Sequence, residues 1–263
     1  MLYKTRAIVL SSRDIKEADS LLTLYSEDRG KMRAVAKGVR KTRSKFGSSL
    51  EPFTLARLLL YRKGKPPASF SPREHSSIDI ITDAEIERSF RKLRESLTGF
   101  ACGNYYAELV AEMAGEGESN PAIFYLLCEF FRLIDVTGNL PVLIFSFTLR
   151  LLCILGYYPE FNECVGCRME LKNISVKNFF FSTELGGILC QHCRGKDSGA
   201  MAIQYPTLKY LKQLLKMEPA RLKNLKLLKK SKLEIERLIL DYLFYYLEKE
   251  LKTVEFLRQT NIL

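Results

Sequence analysis

Cys164-Val-Gly-Cys167 and Cys190-Gln-His-Cys193 constrain this chain more than any other feature. Two intervening residues let the backbone turn, so that both sulfurs of a pair reach one metal ion at about 2.3 Å. The excursion between the pairs, residues 168–189, is slightly longer than the commonest gap of about 15–20 residues, so a less standard module is expected. Four thiolates close a tetrahedral shell, whereas a catalytic zinc keeps one position open. The expectation is one structural Zn2+ held by Cys164, Cys167, Cys190 and Cys193. The competing accounts are two disulfides or four ordinary buried thiols. The start, Met-Leu-Tyr-Lys-Thr-Arg, has no apolar signal-peptide core. A cytoplasmic chain keeps its thiols reduced, which favours metal. Cys102, Cys128 and Cys153 stand singly in apolar helical stretches and read as small hydrophobes. His192 lies inside the second pair and reads as a bystander.

A chain of 263 residues can hold one large domain or two to three small ones. Its most apolar window, Val142 to Leu155, contains Arg150 and falls short of the about 20 residues that cross a bilayer. It reads as a buried core helix. The net charge of +11 is unevenly placed. Residues 1–80 carry 17 Lys/Arg against 8 Asp/Glu, residues 81–202 carry 11 against 15, and residues 203–263 carry 13 against 7. Basic ends around a mildly acidic middle point to a polyanionic partner, either nucleic acid or an anionic membrane surface.

The opening residues read as strands: Tyr3–Leu10, Ser20–Tyr25, Lys31–Val39, Phe53–Tyr61 and Ser76–Ile81. Five short strands within residues 1–80 suit an OB-type β-barrel. Thr82-Asp83-Ala84-Glu85 then fits a helical capping box. Ile86, Phe90, Leu93, Leu97, Ala101, Tyr105, Leu109 and Met113 follow at helical spacing, with Gly99 and Gly103 as points of bending or division. Pro121 and Pro141 open two further helices, closed by Gly138 and Gly156. The fold class expected is α+β and multidomain: an OB-type barrel over 1–80, a helical domain over 81–158, an inserted four-cysteine zinc module over 159–200, and C-terminal helices over 201–263 that pack with the helical domain.

Lys31, Arg33, Lys37, Arg40, Lys41, Arg43 and Lys45 crowd into one short stretch. In an extended strand alternate side chains share a face, so Lys31, Arg33, Val35 and Lys37 stand opposite Met32, Ala34 and Ala36. The small apolar face suits a barrel interior and leaves the basic face outside. Such a strip binds phosphates mainly through counterion release, and OB barrels commonly bind single strands; a charge run is also often only a solvated face. Phe46, Phe53 and Tyr61 are candidates for base stacking or for the core. No base-reading pattern stands out, so little sequence specificity is expected. A second basic cluster, Lys223, Lys226, Lys229, Lys230 and Lys232, has a packing face of Leu222, Leu225, Leu228 and Leu233. It suits DNA contact and helix solubility equally, and it lacks the aromatic anchor of a membrane-binding helix. There is no phosphate-cradling P-loop and no dinucleotide fingerprint. The two histidines, His75 and His192, have no recognisable nucleophile partner, so no enzyme is expected.

Tyr3-Lys4-Thr5-Arg6-Ala7-Ile8-Val9-Leu10, Glu17-Ala18-Asp19, Gly30-Lys31 leading to Ala34-Val35-Ala36-Lys37-Gly38-Val39-Arg40, Leu50-Glu51-Pro52-Phe53-Thr54 and Gly186-Gly187-Ile188-Leu189-Cys190 together resemble the RecO recombination-mediator family. The resemblance covers nearly the whole chain. It implies binding of single- and double-stranded DNA, annealing of complementary strands, and help in loading RecA onto DNA coated by single-stranded DNA-binding protein. It also implies RecR and the acidic C-terminal tail of single-stranded DNA-binding protein as partners, no membrane, and a cytoplasmic, nucleoid-associated location. Some members lack the cysteines, so zinc is expected to support folding rather than annealing. The rival reading is a zinc-ribbon adaptor or transcription-type factor that binds duplex DNA or a protein partner.

Overall fold

The computed structural model describes residues 1–15, 17–42, 44–62, 78–134, 136, 138–171 and 178–263. The chain divides into two compact units, Met1–Asp135 and Val136–Leu263.

In the first unit, β1 (Leu2–Asp14), β2 (Ser20–Ser26), β3 (Gly30–Ala36), β4 (Leu55–Tyr61) and β5 (Asp79–Arg88) close a barrel in the order β1-β2-β3-β5-β4. Only the β3–β5 pair is parallel; the others are antiparallel. Closure removes the sheet edges, as in OB-type barrels. Inward positions at period two place Val9, Leu22, Leu24, Met32, Ala34, Ala36, Leu58, Leu60 and Ile81 in one buried core, which Phe46 and Leu50 plug from the connection after β3.

The structure corrects the reading of residues 82–90. Thr82 is not a helix cap: its hydroxyl donates to the Leu59 carbonyl at 2.9 Å, and β5 continues to Arg88. Glu85 stands opposite Arg57 in the β4–β5 register, Glu87 lies 3.7 Å from Arg57 across the same pair, and Arg6 of β1, on the far side of β4, donates through Nε to Glu87 at 2.9 Å. Opposite charges across neighbouring strands favour the ladder, and the ladder also completes the barrel, so tertiary pairing overrides the local helical pattern. Ser76 and Ser77 of the expected fifth strand lie outside the described residues, as does His75.

Helices α1 (Arg91–Glu95) and α2 (Leu97–Met113) are separated at Ser96, whose extended backbone lets its hydroxyl accept from the Gly99 amide at 3.0 Å. Ser96→Ala is expected to cost about 1 kcal/mol through this lost cap, read as an earlier urea midpoint with an unchanged slope. Helix α3 (Pro121–Ile134) buries Phe130 and Phe131. Phe131 lies 5.4 Å from the ring of Phe53, so Phe53 serves the core and is closed to bases.

In the second unit, α4 (Leu140–Ile154) is the buried helix expected from the apolar window. Strands β6 (Asn178–Ser182), β7 (Gly187–Leu189) and β8 (Met201–Gln204) form a sheet in the order β7-β6-β8. Helices α5 (Tyr205–Lys216), α6 (Lys229–Leu247) and α7 (Lys252–Gln259) follow, with a 3-10 turn over Pro219–Asn224. Ser146 of α4 donates to the Leu214 carbonyl at 2.7 Å, and Phe181 of β6 meets Tyr242 of α6 at 5.4 Å. No described helix is long and apolar enough to cross a membrane.

Candidate metal centre and nucleic-acid interface

The four motif cysteines converge. Cys164 and Cys167 lie on a turn after α4, Cys190 follows β7, and Cys193 sits in a 3-10 turn over Gln191–Lys196. Their sulfurs all lie within 4.8 Å of one another, close to the about 3.8 Å expected between ligands of a tetrahedral zinc. Cys167 and Cys190 sulfurs are 3.9 Å apart, well beyond a disulfide's about 2.05 Å.

The surroundings are shaped for this convergence. A Cβ on Gly166 would stand 2.8 Å from the Cys193 Cβ and 3.0 Å from its sulfur, so glycine lets the first turn close over the second. The Val165 amide donates to Ile188 and the Cys164 amide to Met169, both at 2.9 Å, tying the turn to β7 and to the chain that leaves it. Burial alone would raise the Cys164 thiol, but backbone amides of Cys190, Gly166 and Cys167 directed at its sulfur bring it down to about 7. Burial and neighbouring thiols push Cys193 up. A divalent cation would hold all four sulfurs as thiolates against their mutual repulsion, so this donor set fits such a metal ion. His192 is exposed and stands outside the sulfur cluster. Burial raises the Cys102 and Cys128 thiols to about 12 and Cys153 to about 11, leaving them as packing groups.

The basic stretch divides into two parts. In β3, Met32, Ala34 and Ala36 are buried while Lys31 and Val35 are half-buried and Arg33 is exposed, the alternation expected. Lys31 Nζ donates to the Ala111 carbonyl near the end of α2 at 2.7 Å. Arg33 reaches both carboxylate oxygens of Glu116, at 3.2 and 3.3 Å. Beyond the strand, Lys37 and Lys41 are exposed, and Arg40 pairs with Asp14 at 3.2 Å. Lys45 lies 5.1 Å from the centre of the Phe46 ring and donates to the Thr82 carbonyl. Arg43 lies outside the described residues. Of the aromatic candidates, Phe46 and Phe53 are core and only Tyr61, 41% exposed, is open to a base.

Lys223, Lys226 and Lys232 line an open cleft of about 590 Å³ beside Asn139, at the start of α4, and Asn224. Among the described residues no acidic side chain lines it. Lys232 also donates to the Ile262 carbonyl at 3.1 Å. Leu222 and Leu225 pack inward, but Leu228 and Leu233 are 57% and 58% exposed, against the expected packing face. Helix α6 begins only at Lys229, so the four leucines do not share one helical stripe.

Sequence reasoning missed Glu116. It sits in a short Gly-Glu-Gly-Glu turn with no motif of its own, and only the fold brings it beside Arg33.

Residues 1–90 match the family description "Recombination protein O N terminal" and residues 94–255 match "Recombination protein O C terminal". The chain is 36% identical to "DNA repair protein RecO" of Desulforamulus reducens over 97% of its own length and 94% of the relative's. It is 36% identical to the protein of the same name from Pelotomaculum thermopropionicum, over 97% and 93% of the two chains. It is 33% identical to that of Desulforudis audaxviator, over 99% and 98%.

Proposed function

The chain belongs to the RecO family of DNA repair proteins, and we propose that it acts as a non-catalytic recombination mediator. In this reading it binds single- and double-stranded DNA with little sequence preference, anneals complementary strands and helps load RecA onto DNA coated by single-stranded DNA-binding protein. RecR and the acidic C-terminal tail of single-stranded DNA-binding protein are its protein partners. Cys164, Cys167, Cys190 and Cys193 hold one structural Zn2+. A family match that runs through both units favours the mediator over a zinc-ribbon adaptor, which would account for the cysteines and the charge but less well for the basic strand near the N-terminus.

The observation that carries the DNA reading is the exposed basic run leaving β3, with Lys37, Arg40 and Lys41 on one connection of an OB-type barrel. Two complementary strands repel through their phosphates. A cationic surface that replaces condensed counterions lowers this repulsion and, contacting only backbone, leaves base edges free to pair. A second cationic surface, the cleft of Lys223, Lys226 and Lys232, gives the chain a place for a second strand and raises the effective concentration of the two. No group in this scheme makes or breaks a covalent bond.

The test is fluorescence-monitored annealing of two complementary oligonucleotides without nucleotide triphosphate. Salt-sensitive acceleration by the native protein is expected. Replacing Lys37, Arg40 and Lys41 together by glutamine is expected to weaken single-strand binding about tenfold and to lower the slope of log K against log salt by about 2. A folded native protein that does not accelerate annealing overturns the mediator reading. A folded triple variant with native affinity and slope overturns the assignment of the strip.

A further inference from the structure

The pairing of Arg33 with Glu116 has a structural basis that ordinary surface ion pairs lack. Surface pairs hold two flexible side chains together by weak attraction, about 0.2–1 kcal/mol. Here the backbone that carries Glu116 is itself docked onto β3. Glu116 forms a parallel bridge with Lys31, and the Gly117 amide donates to the Lys31 carbonyl at 2.8 Å. Ser119 donates to the Glu27 carbonyl at 3.3 Å, and Tyr25 donates to the Asn120 carbonyl at 3.2 Å. The turn is therefore held against the β2–β3 hairpin along its length, and its carboxylate meets the Arg33 guanidinium through two hydrogen bonds.

Both partners stay open to solvent, with side chains 53% and 40% exposed. Burial therefore does not lock the contact, and a competing anion can approach. A carboxylate presenting two oxygens to a guanidinium fork makes the same kind of contact as a backbone phosphate. We infer that Glu116 acts as a built-in phosphate mimic: it occupies Arg33 in the free protein and must be displaced when nucleic acid runs along β3. The inference rests on the reading of the basic strip as the DNA surface. Its consequence is an affinity held below what the strip's charge permits, with Arg33 contributing only where a phosphate outcompetes Glu116. For a protein that must release an annealed product, a moderated grip shortens the time each strand is held.

The experiment is a double-mutant cycle on single-strand affinity and its salt slope in the full chain, with Glu118→Gln as a control of equal charge change. Glu118 lies in the same turn and makes no ion pair with Arg33. Glu116→Gln is expected to tighten binding about two- to fivefold relative to Glu118→Gln, the range set by an exposed pair. It should also steepen the salt slope by about 0.7, one more single-strand phosphate neutralised. Arg33→Gln should then cost more affinity in the Glu116→Gln background than in the native one. Equal effects of Glu116→Gln and Glu118→Gln, or an equal cost of Arg33→Gln in both backgrounds, overturn the mimic. The Lys37, Arg40 and Lys41 variant, measured alongside, separates the failures. If it weakens binding while the cycle shows no coupling, only the mimic falls; if it too leaves binding unchanged, the strip reading falls and the mimic with it.

Discussion

Replacing Cys164 and Cys190 with serine is expected to abolish stoichiometric zinc and to unfold the segment around β6 and β7. The sulfurs of this cluster sit on a turn, a strand end and a 3-10 turn, and a metal ion would join all three at one point in addition to backbone hydrogen bonds such as Val165 to Ile188, so metal affinity there is also folding energy. Isolated zinc fingers gain an apparent ~10–16 kcal/mol from their metal. Here β6 also packs through Phe181 onto Tyr242 of α6, which retains part of the fold, and a loss of several kcal/mol is the expectation. Cys164 is fully buried and Cys190 nearly so, so serine also leaves hydroxyls where no metal satisfies them. Metal content by chelator release and thermal unfolding check this together. A double variant that is free of metal and melts with the native protein would remove the structural role. Salt-dependent DNA binding should survive in a partly folded variant, because the barrel core contains none of these cysteines.

Gly30→Ala carries the second large effect. Gly30 ends the β2–β3 turn at φ 64°, a left-handed conformation that costs a residue with a Cβ about 1–2 kcal/mol. The new Cβ would also fall 1.8 Å from the Glu118 carbonyl oxygen and 2.5 Å from its carbon, so the docked turn must move away from the hairpin. The combined loss is expected at about 3 kcal/mol or more. Gly47→Ala provides the comparison: φ is 50° there, but nothing lies within 4 Å of the added atom. Its cost should stay at about 1 kcal/mol, the backbone contribution alone. Equal losses for the two variants in urea unfolding would show that the packing of Glu118 on Gly30 contributes nothing. Because the same displacement carries Glu116 off Arg33, residual folded Gly30→Ala protein should also lose the coupling between those two side chains.

Features set by short-range chemistry were legible in the chain. Cysteine spacing encodes a turn that brings two sulfurs to one point, and the alternation in β3 separates Met32, Ala34 and Ala36 from Arg33 because successive side chains leave a strand on opposite sides. The apolar run beginning at Val142 reads as a core helix from its composition alone. The failures share one cause. Residues 82–88 carry a helical capping pattern, yet they are a strand, because Glu87 meets Arg57 and Arg6, and Glu85 comes opposite Arg57, only when the barrel closes. Leu228 and Leu233 fit a helical stripe that starts too late to contain both.

The electrostatics of the basic strip divide along the same line. Its charge and its exposure on one face of β3 were properties of consecutive residues, and the sequence by itself determined them, as it determined the cysteine pairs and the order of barrel, helices and metal-type module. Which of those charges are available was decided by tertiary structure. Glu116 and the Ala111 carbonyl lie about 80 positions from Arg33 and Lys31 in the chain and carry no local signal that names their partners. Local pattern depends on neighbours within a turn or a strand, whereas an ion pair depends on where two distant backbones are docked, and only the closed barrel with its helices supplies that position.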